Sequence, residues 1–244
     1  MSKRTIIVLK VVIHLLCLAP VAWLWHFYTS GALALNADPV NYITHFTGNS
    51  ALYLLLIDLA ITPLRRLSPT ISWLIRFRRL IGLYAFFYAT LHLSTYIFLF
   101  SGYDLPSVLS SIKAGHPSAI LAEWRQIWPT VKDDILKRRF IQVGFFAWLI
   151  LLSLAATSPA FIMRAIGGKN WQRLHRLIYI AAIAAVIHFW WLVKTGVRTP
   201  WKVTAVLAIL LLARIAYTAI KRRNQLTPPA KPTATLTTDI PAPH

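Results

Sequence analysis

Four histidines lie within long apolar segments of the sequence, at positions His14, His92, His175 and His188. Ionisable side chains are costly inside a membrane, so each is expected to have a partner or a function. His92 lies 12 residues after Leu80, and His188 lies 14 residues after Leu174, where their apolar segments begin. At about 1.5 Å of rise per residue, the two imidazoles lie within roughly 3 Å of the same depth. We therefore predict that they face each other across two helices.

Two imidazoles at one depth among apolar side chains are what a six-coordinate haem needs. Aromatic and small polar residues surround His92 in the sequence: Phe86, Phe87, Tyr88, Thr95 and Tyr96. Before His188, the alanines Ala181, Ala182, Ala184 and Ala185 are expected to leave room for a flat macrocycle. Other metals are disfavoured, because Cys17 is the single cysteine and no Glu-x-x-His pair is present. The alternative is that each histidine bonds a neighbouring backbone or hydroxyl group.

His175 precedes His188 by 13 residues on the same predicted helix, a rise of about 20 Å that suits a second haem. Thirteen steps of about 100° leave the two side chains about 140° apart, so a shared face requires a bulge or bend. At this depth the third apolar segment has Arg78 and Arg79, which leaves His14 as the nearest candidate partner. Alternatively, His175 binds a haem propionate, a phosphate or a helix end.

Other polar residues allow two interpretations each. Arg78 and Arg79 belong to a basic turn that could bind haem propionates, a flavin phosphate or anionic lipid, although ordinary positive-inside bias explains it equally well. Asp58 could relay a proton or bind quinone, but pairing with a nearby arginine is favoured. His26 and His45 lie at the outer boundary, where a histidine needs no special reason.

The composition indicates a membrane protein, because 57% of the 244 residues are hydrophobic and 14% are charged. The net charge of +19 lies in short clusters between apolar runs, which disfavours a nucleic-acid-binding face. Neither a dinucleotide glycine fingerprint nor a phosphate-binding Gly-Lys-Ser/Thr loop is present, so no NAD(P)H domain is expected. Electrons would have to arrive from membrane quinol or from a separate flavin reductase.

Six apolar runs predict an all-α bundle of six transmembrane helices, over residues 6–28, 48–64, 80–100, 140–161, 174–193 and 201–220. The first run is too long for a cleaved signal peptide. Lysine and arginine counts place both termini inside, with the Lys137, Arg138 and Arg139 cluster against this orientation. We expect a transmembrane domain over 1–223 and a disordered cytoplasmic tail over 224–244. No internal repeat is visible.

The outer loop from Ser101 to Arg139 is the only sizeable segment outside these runs. Its Trp124, Ile127 and Trp128 predict either a short helix lying on the membrane or a docking surface for a partner, and tryptophan favours the membrane interface.

Several short motifs in combination resemble the MsrQ family, formerly YedZ, of the ferric-reductase-like transmembrane superfamily. They are His45-Phe46-Thr47-Gly48, Ile61-Thr62-Pro63-Leu64, Arg78-Arg79-Leu80-Ile81-Gly82-Leu83, Thr90-Leu91-His92-Leu93, Trp171-Gln172-Arg173-Leu174-His175 and Ile187-His188. The similarity runs from about residue 8 to residue 220. The longer outer loop before Lys137 and the extended Pro/Thr tail depart from the family pattern.

The resemblance implies a haem-binding subunit of the bacterial protein-methionine-sulfoxide reductase system, located in the inner membrane. Such a subunit binds haem b, and commonly FMN, and passes electrons from the quinone pool to the periplasmic molybdopterin reductase MsrP. That partner repairs oxidised methionines. The family's haem histidines fall on His92, His175 and His188, whereas no flavin ligand can be transferred. The alternatives are a ferric or quinone reductase acting on a small acceptor, and a proton-coupled transporter that relays protons through His92, His188 and Asp58.

Overall fold

The computed structural model describes residues 2–192 and 199–226 of the chain. All the regular secondary structure in these residues is helical. Six of the described helices are long and apolar enough to cross a membrane. The predicted all-α class with six transmembrane helices is therefore confirmed, and the chain is a multi-pass membrane protein.

The helices are numbered in chain order. The membrane-crossing segments are α1 (Lys3–Thr29), α2 (Pro39–Leu67), α3 (Ile75–Thr95), α6 (Arg139–Ala156), the pair α8 (Gly168–Leu174) and α9 (Ile178–Leu192), and α10 (Thr199–Leu226). Three further helices are α4 (Leu105–Lys113), α5 (Ala119–Lys137) and α7 (Ala160–Ile166). Short 3₁₀ segments, Pro69–Leu74 and His175–Leu177, precede α3 and α9, and a π-helical turn, Tyr96–Phe100, extends α3. Residues 227–244, most of the predicted tail, lie outside the described part.

Local sequence determines where the helices begin. Asp38 accepts a hydrogen bond from the backbone N–H of Asn41 at 2.9 Å, and Pro39 occupies the first turn of α2, where its missing N–H costs nothing. Asp104 caps α4 in the same way. Gly167 adopts φ +82° between α7 and α8, a conformation that residues with a Cβ rarely adopt.

The main core lies where α2, α3, α6, α9 and α10 meet. Its fully buried small residues, Ala85 on α3 and Ala181 and Ala182 on α9, allow close helix packing. The most extensive packing joins α2 to α3 and α6 to α9. Two antiparallel helix pairs therefore form the frame of the bundle.

The segment predicted as an outer loop folds into α4 and α5. Ile127 is buried with Tyr103, Val108 and Val131 in a small separate core, and Trp124 packs against it. Trp128 remains 45% exposed. The Asp134 carboxylate accepts a hydrogen bond from the Tyr96 hydroxyl at 2.8 Å, which ties α5 to the end of α3. We call this side of the bundle the loop end, and the opposite side, where α2 ends and α3 begins, the basic end.

Candidate haem-binding site

His92 on α3 and His188 on α9 face each other near the loop end. Their ring centres are 6.0 Å apart, and the rings are inclined by 77°. A metal–imidazole nitrogen bond measures about 2.0–2.1 Å, so two rings on opposite sides of one ion have their centres about 6 Å apart. The separation therefore fits one metal ion between the imidazoles, and the contact predicted from depth is confirmed.

Both imidazoles have the same type of partner on the side facing away from this contact. Nδ1 of His92 lies 3.0 Å from the Thr44 carbonyl oxygen on α2, and Nδ1 of His188 lies 2.7 Å from the Phe140 carbonyl oxygen on α6. A carbonyl oxygen only accepts, so each Nδ1 must carry the proton. Each neutral ring then has its lone pair on Nε2, as in metal-binding histidines whose other nitrogen donates to a backbone carbonyl.

A glycine lies against each imidazole. A Cβ placed on Gly48 would be 3.1 Å from Nδ1 of His92, and a Cβ on Gly144 would be 2.6 Å from Nδ1 of His188. Side-chain carbons almost never approach an atom as closely as the second distance. These glycines let α2 and α6 come near enough for their carbonyls to hold the rings. The sequence analysis did not identify them.

The two half-sites repeat each other. In both, the histidine follows its carbonyl partner by 48 positions, and the glycine lies one helical turn after that partner. The helix pairs α2–α3 and α6–α9 thus present their imidazoles in equivalent ways. The shared spacing of 44 residues, from Gly48 to His92 and from Gly144 to His188, is the sequence sign of this repeat, which the predictions above did not use.

Not all of the residues expected around His92 line this contact. Phe86 packs against Trp148, whose indole N–H donates to the Thr90 hydroxyl at 3.1 Å. Phe87 is 39% exposed on the bundle surface. Tyr88 turns towards α1, where its hydroxyl donates to the Cys17 carbonyl at 2.7 Å. It is directed away because its hydroxyl also accepts from the Val21 N–H, next to Pro20 within α1, where the proline ring disturbs the backbone hydrogen bonds of the helix.

The expectation for the alanines before His188 was also partly wrong. Ala181 and Ala182 are completely buried in the main core, and Ala184 is buried as well. Their small size is used for close contact between helices instead of leaving an open slot. Ala185 alone among the four is partly buried.

His175 lies at the bend between α8 and α9, near the basic end. Its ring stacks on Trp171 at 3.8 Å between centres, and its Nε2 lies 3.4 Å from the Thr157 hydroxyl. Three residues of 3₁₀ helix turn about 120° each instead of about 100°, which reduces the angular offset from His188 to about 80°. A shared face would require a local irregularity, and this 3₁₀ turn is one, but it does not bring the two histidines onto one face.

Arg78 and Arg79 lie within electrostatic range of His175, as expected from their depth. Arg78 is already engaged, since its Nε lies 3.4 Å from Asp58 and a terminal nitrogen donates to the Thr62 hydroxyl at 3.2 Å. The predicted pairing of Asp58 with an arginine is thereby confirmed. These contacts leave Arg79 as the freer candidate for an anionic group.

The remaining histidines lie elsewhere. His14 bonds the Tyr84 hydroxyl through Nδ1 at 2.7 Å on the surface between α1 and α3. Its expected role as partner of His175 has no support in this contact. The His26 ring lies 6.2 Å from the Trp23 ring between centres and is tilted by 54° to it, and His45 lines a cavity at the loop end. Within residues 2–192 and 199–226, no group of three or more His, Cys, Asp or Glu side chains could hold a metal ion.

Comparison with known proteins places this arrangement in a class. The model of a family described as the ferric reductase like transmembrane component matches residues 46–186, which include most of α2, all of α3 and α6, and the first part of α9 before His188. More than half of the chain is therefore covered. No solved structure matches the chain.

Relatives of similar length narrow the class. A protein-methionine-sulfoxide reductase heme-binding subunit MsrQ of Xanthomonas oryzae pv. oryzae is 44% identical over 238 residues, covering 96% of this chain and 98% of the relative. One of Herminiimonas arsenicoxydans is 40% identical over 190 residues, covering 77% and 76%. The chain belongs to the ferric-reductase-like transmembrane family and, within it, to the MsrQ group.

Proposed function

We propose that this protein is a haem b-binding electron-transfer subunit, which passes electrons from the quinone pool to a periplasmic molybdopterin methionine-sulfoxide reductase, MsrP. The observation that carries the proposal is the facing of His92 and His188 at 6.0 Å, with each Nδ1 directed at a backbone carbonyl. The names of the relatives, which describe heme-binding subunits, support the same assignment.

His92 and His188 would hold the iron through their Nε2 atoms. The haem would supply reversible one-electron chemistry when bound. The protein residues hold the imidazoles in one tautomer, exclude water with apolar helices and fix the ring orientations through the Thr44 and Phe140 carbonyls. No residue of this site is needed as a nucleophile or an acid, so the protein itself makes and breaks no substrate bond.

His175 is proposed as a further haem ligand, at a second site near the basic end. Arg79 would be the cationic neighbour of that site, since Arg78 is bonded to Asp58 and Thr62. FMN, which the family resemblance implies, has no ligand that these contacts single out. We assign no residue to it.

The geometry favours electron transfer over proton-coupled transport. A relay needs groups that can lose and regain a proton, whereas both imidazoles donate to carbonyls, which cannot exchange one. Asp58, the third member of the relay considered above, forms an ion pair with Arg78.

The test is the visible spectrum of the purified, dithionite-reduced protein with His92 or His188 replaced by alanine. We expect sharp low-spin haem bands in the parent protein and their loss in both variants, because either change removes one axial ligand. His45→Ala serves as the control and should retain the haem. Replacing His175 should leave the haem between His92 and His188 in place. A colourless parent protein after haem supplementation, or full haem content in His92→Ala, would contradict the proposal.

A further inference from the structure

Two adjoining cavities lie between α1 and α2, outside the haem site. The first is an apolar groove of about 500 Å³, open to the bundle surface, with Ala19, Pro20 and Trp23 on the α1 side and Tyr53 on the α2 side. It runs along the part of the bundle that faces membrane lipid. Its shape and lining suit a hydrocarbon chain.

The second cavity, of about 410 Å³, continues the groove towards the loop end. Phe46 and Asn49 line both cavities, so the two adjoin. The second is rich in polar groups, which include Asp38, Asn41 and His45. Together the two open cavities form a surface groove, called the channel below, whose lining changes from apolar to polar.

Asn49 lies at the junction of the two cavities. Its side-chain amide has no hydrogen-bond partner among the described residues and is partly exposed, one helical turn after His45 at the outer boundary. The amide is therefore available to donate and accept hydrogen bonds at this level, with water or with a ligand.

The polar cavity adjoins the imidazole pair. His45 directly follows Thr44, whose carbonyl holds His92, and Asn49 directly follows Gly48, which lies against the His92 ring. His45 also lies within electrostatic range of His92. The head of a ligand at this position would therefore lie on one side of α2, and His92 on the other.

We propose that this channel binds an isoprenoid quinone, with the tail in the groove between α1 and α2 and the quinone ring among Asn49, His45 and Asn41. A quinone ring presents two oxygen atoms that accept hydrogen bonds from neutral donors, and its tail is a hydrocarbon. No lysine or arginine is among the residues that line the two cavities, and Asp38 is acidic. An anionic phospholipid headgroup, which favours cationic side chains, is therefore a poor match.

This site deepens the proposed function, because it places the membrane-soluble electron donor beside the imidazole pair. Electron donation from this site rests on the proposed function, whereas binding of a quinone in the channel does not. Binding is therefore measured separately from haem retention.

The experiment uses haem-loaded protein in phospholipid nanodiscs and a photoreactive azido-ubiquinone with a short isoprenoid tail. Labelled peptides are located by mass spectrometry, with and without an excess of unlabelled ubiquinone. We expect label on residues 16–23 and 36–53, and we expect the unlabelled quinone to displace it. The reduced haem spectrum of each sample reports the proposed function independently.

Two variants and a matched control sharpen this test. Ala19→Trp should remove most of the label by filling the groove, whereas Ala22→Trp, the same change one turn further along α1 and outside the groove, should leave it. Asn49→Leu should weaken labelling about tenfold, the effect of losing one hydrogen bond in an apolar site. Label on another part of the chain, label that unlabelled quinone does not displace, or unchanged labelling of both Ala19→Trp and Asn49→Leu would overturn the proposal. Label that is not displaced would show that the probe only partitions non-specifically along the membrane-facing surface.

Discussion

At the scale of single residues, the orientation of each imidazole depends on a backbone atom of a neighbouring helix. Thr44 and Phe140 contribute carbonyl oxygens, which remain when their side chains change. What a substitution can disturb is the distance between that carbonyl and the ring. The residues that set this distance are Gly48 and Gly144, because a larger residue at either position would push the ring away.

Gly144→Ala should therefore reduce haem binding strongly, since its Cβ would lie 2.6 Å from the His188 ring, and Gly48→Ala should reduce it less, at 3.1 Å. Alanine is favoured over glycine inside a helix by about 1 kcal/mol, so α6 itself should not be weakened. The measurement is the haem-to-protein ratio after purification and haem titration.

Gly168→Ala is the control for this prediction, because nothing lies within 4 Å of the added Cβ and the backbone there is helical. Equal haem content in the Gly144 and Gly168 variants would show that Gly144 does not position the ring.

The sequence predicts the histidine pair but not its surroundings. Depth along a helix follows from residue number alone, and that was sufficient to bring His92 and His188 together. Which side chains face them depends on helix rotation and on neighbouring helices. Tyr88 and Ala181 were therefore assigned to the wrong surroundings. The regular spacing of a glycine and a histidine in both helix pairs was the available signal for Gly48 and Gly144.

At the scale of the helices, Asp58 and Arg78 join α2 to α3 at the basic end. The Asp58 side chain is 5% exposed and that of Arg78 is 27% exposed. Thr62 adds a hydrogen bond to the same guanidinium group, and Arg214 on α10 lies within electrostatic range of Asp58. Removing the carboxylate leaves this positive charge without compensation inside the bundle.

Asp58→Leu should lower the free energy of unfolding by about 3 kcal/mol. This is the lower end of the range of about 3–5 kcal/mol for breaking a buried ion pair, because the Arg78 side chain remains partly exposed to solvent. The double variant Asp58→Leu with Arg78→Met should recover part of this loss. Thermal unfolding in detergent, followed by circular dichroism, gives the comparison.

Asp133→Leu provides the control, since its pair with Lys137 is exposed on both sides and is expected to contribute less than about 1 kcal/mol. A shift for Asp58→Leu no larger than that of the control would contradict a structural role for the buried pair.

The helices themselves were largely predictable, and their irregularities were not. Long apolar runs identify membrane-crossing helices reliably, because lipid requires about 20 apolar residues in each. The segment from 101 to 139 lacks such a run, so its two amphipathic helices and their small core around Ile127 were reduced to one possible interfacial helix. No proline or glycine lies at the 3₁₀ turn around His175, so no residue at this position predicts it.

At the scale of the whole molecule, charge is distributed unequally between the two ends. The basic end carries Arg65, Arg66, Arg164 and Lys169, whereas acidic residues such as Asp104 and Glu123 lie at the loop end. Lys137 and Arg138, which count against this orientation, form ion pairs with Asp133 and Asp134 at 2.8 Å each. The positive-inside rule counts lysines and arginines and not net charge, and their larger number at the basic end predicts that this end faces the cytoplasm.

Reporter fusions test this orientation. We expect a fluorescent protein fused after Leu226 to be fluorescent. We expect alkaline phosphatase inserted at Gly115 to be active, because alkaline phosphatase matures only outside the cytoplasm. Gly115 lies in the exposed turn between α4 and α5. The opposite pattern of activities would show that the bundle is inverted, while six crossings would still stand.

The equivalence of the two half-sites has a consequence for how the protein is assembled. Each helix pair supplies one imidazole. Under the proposed function, the haem would therefore link α2 and α3 in the first half of the chain to α6 and α9 in the second half. A newly inserted chain without haem would be held across this seam by helix packing and by few polar contacts, such as the hydrogen bond from Trp148 to Thr90. The amount of mature subunit in the membrane would then follow the supply of haem, and the cell would obtain a checkpoint on cofactor loading without a dedicated chaperone.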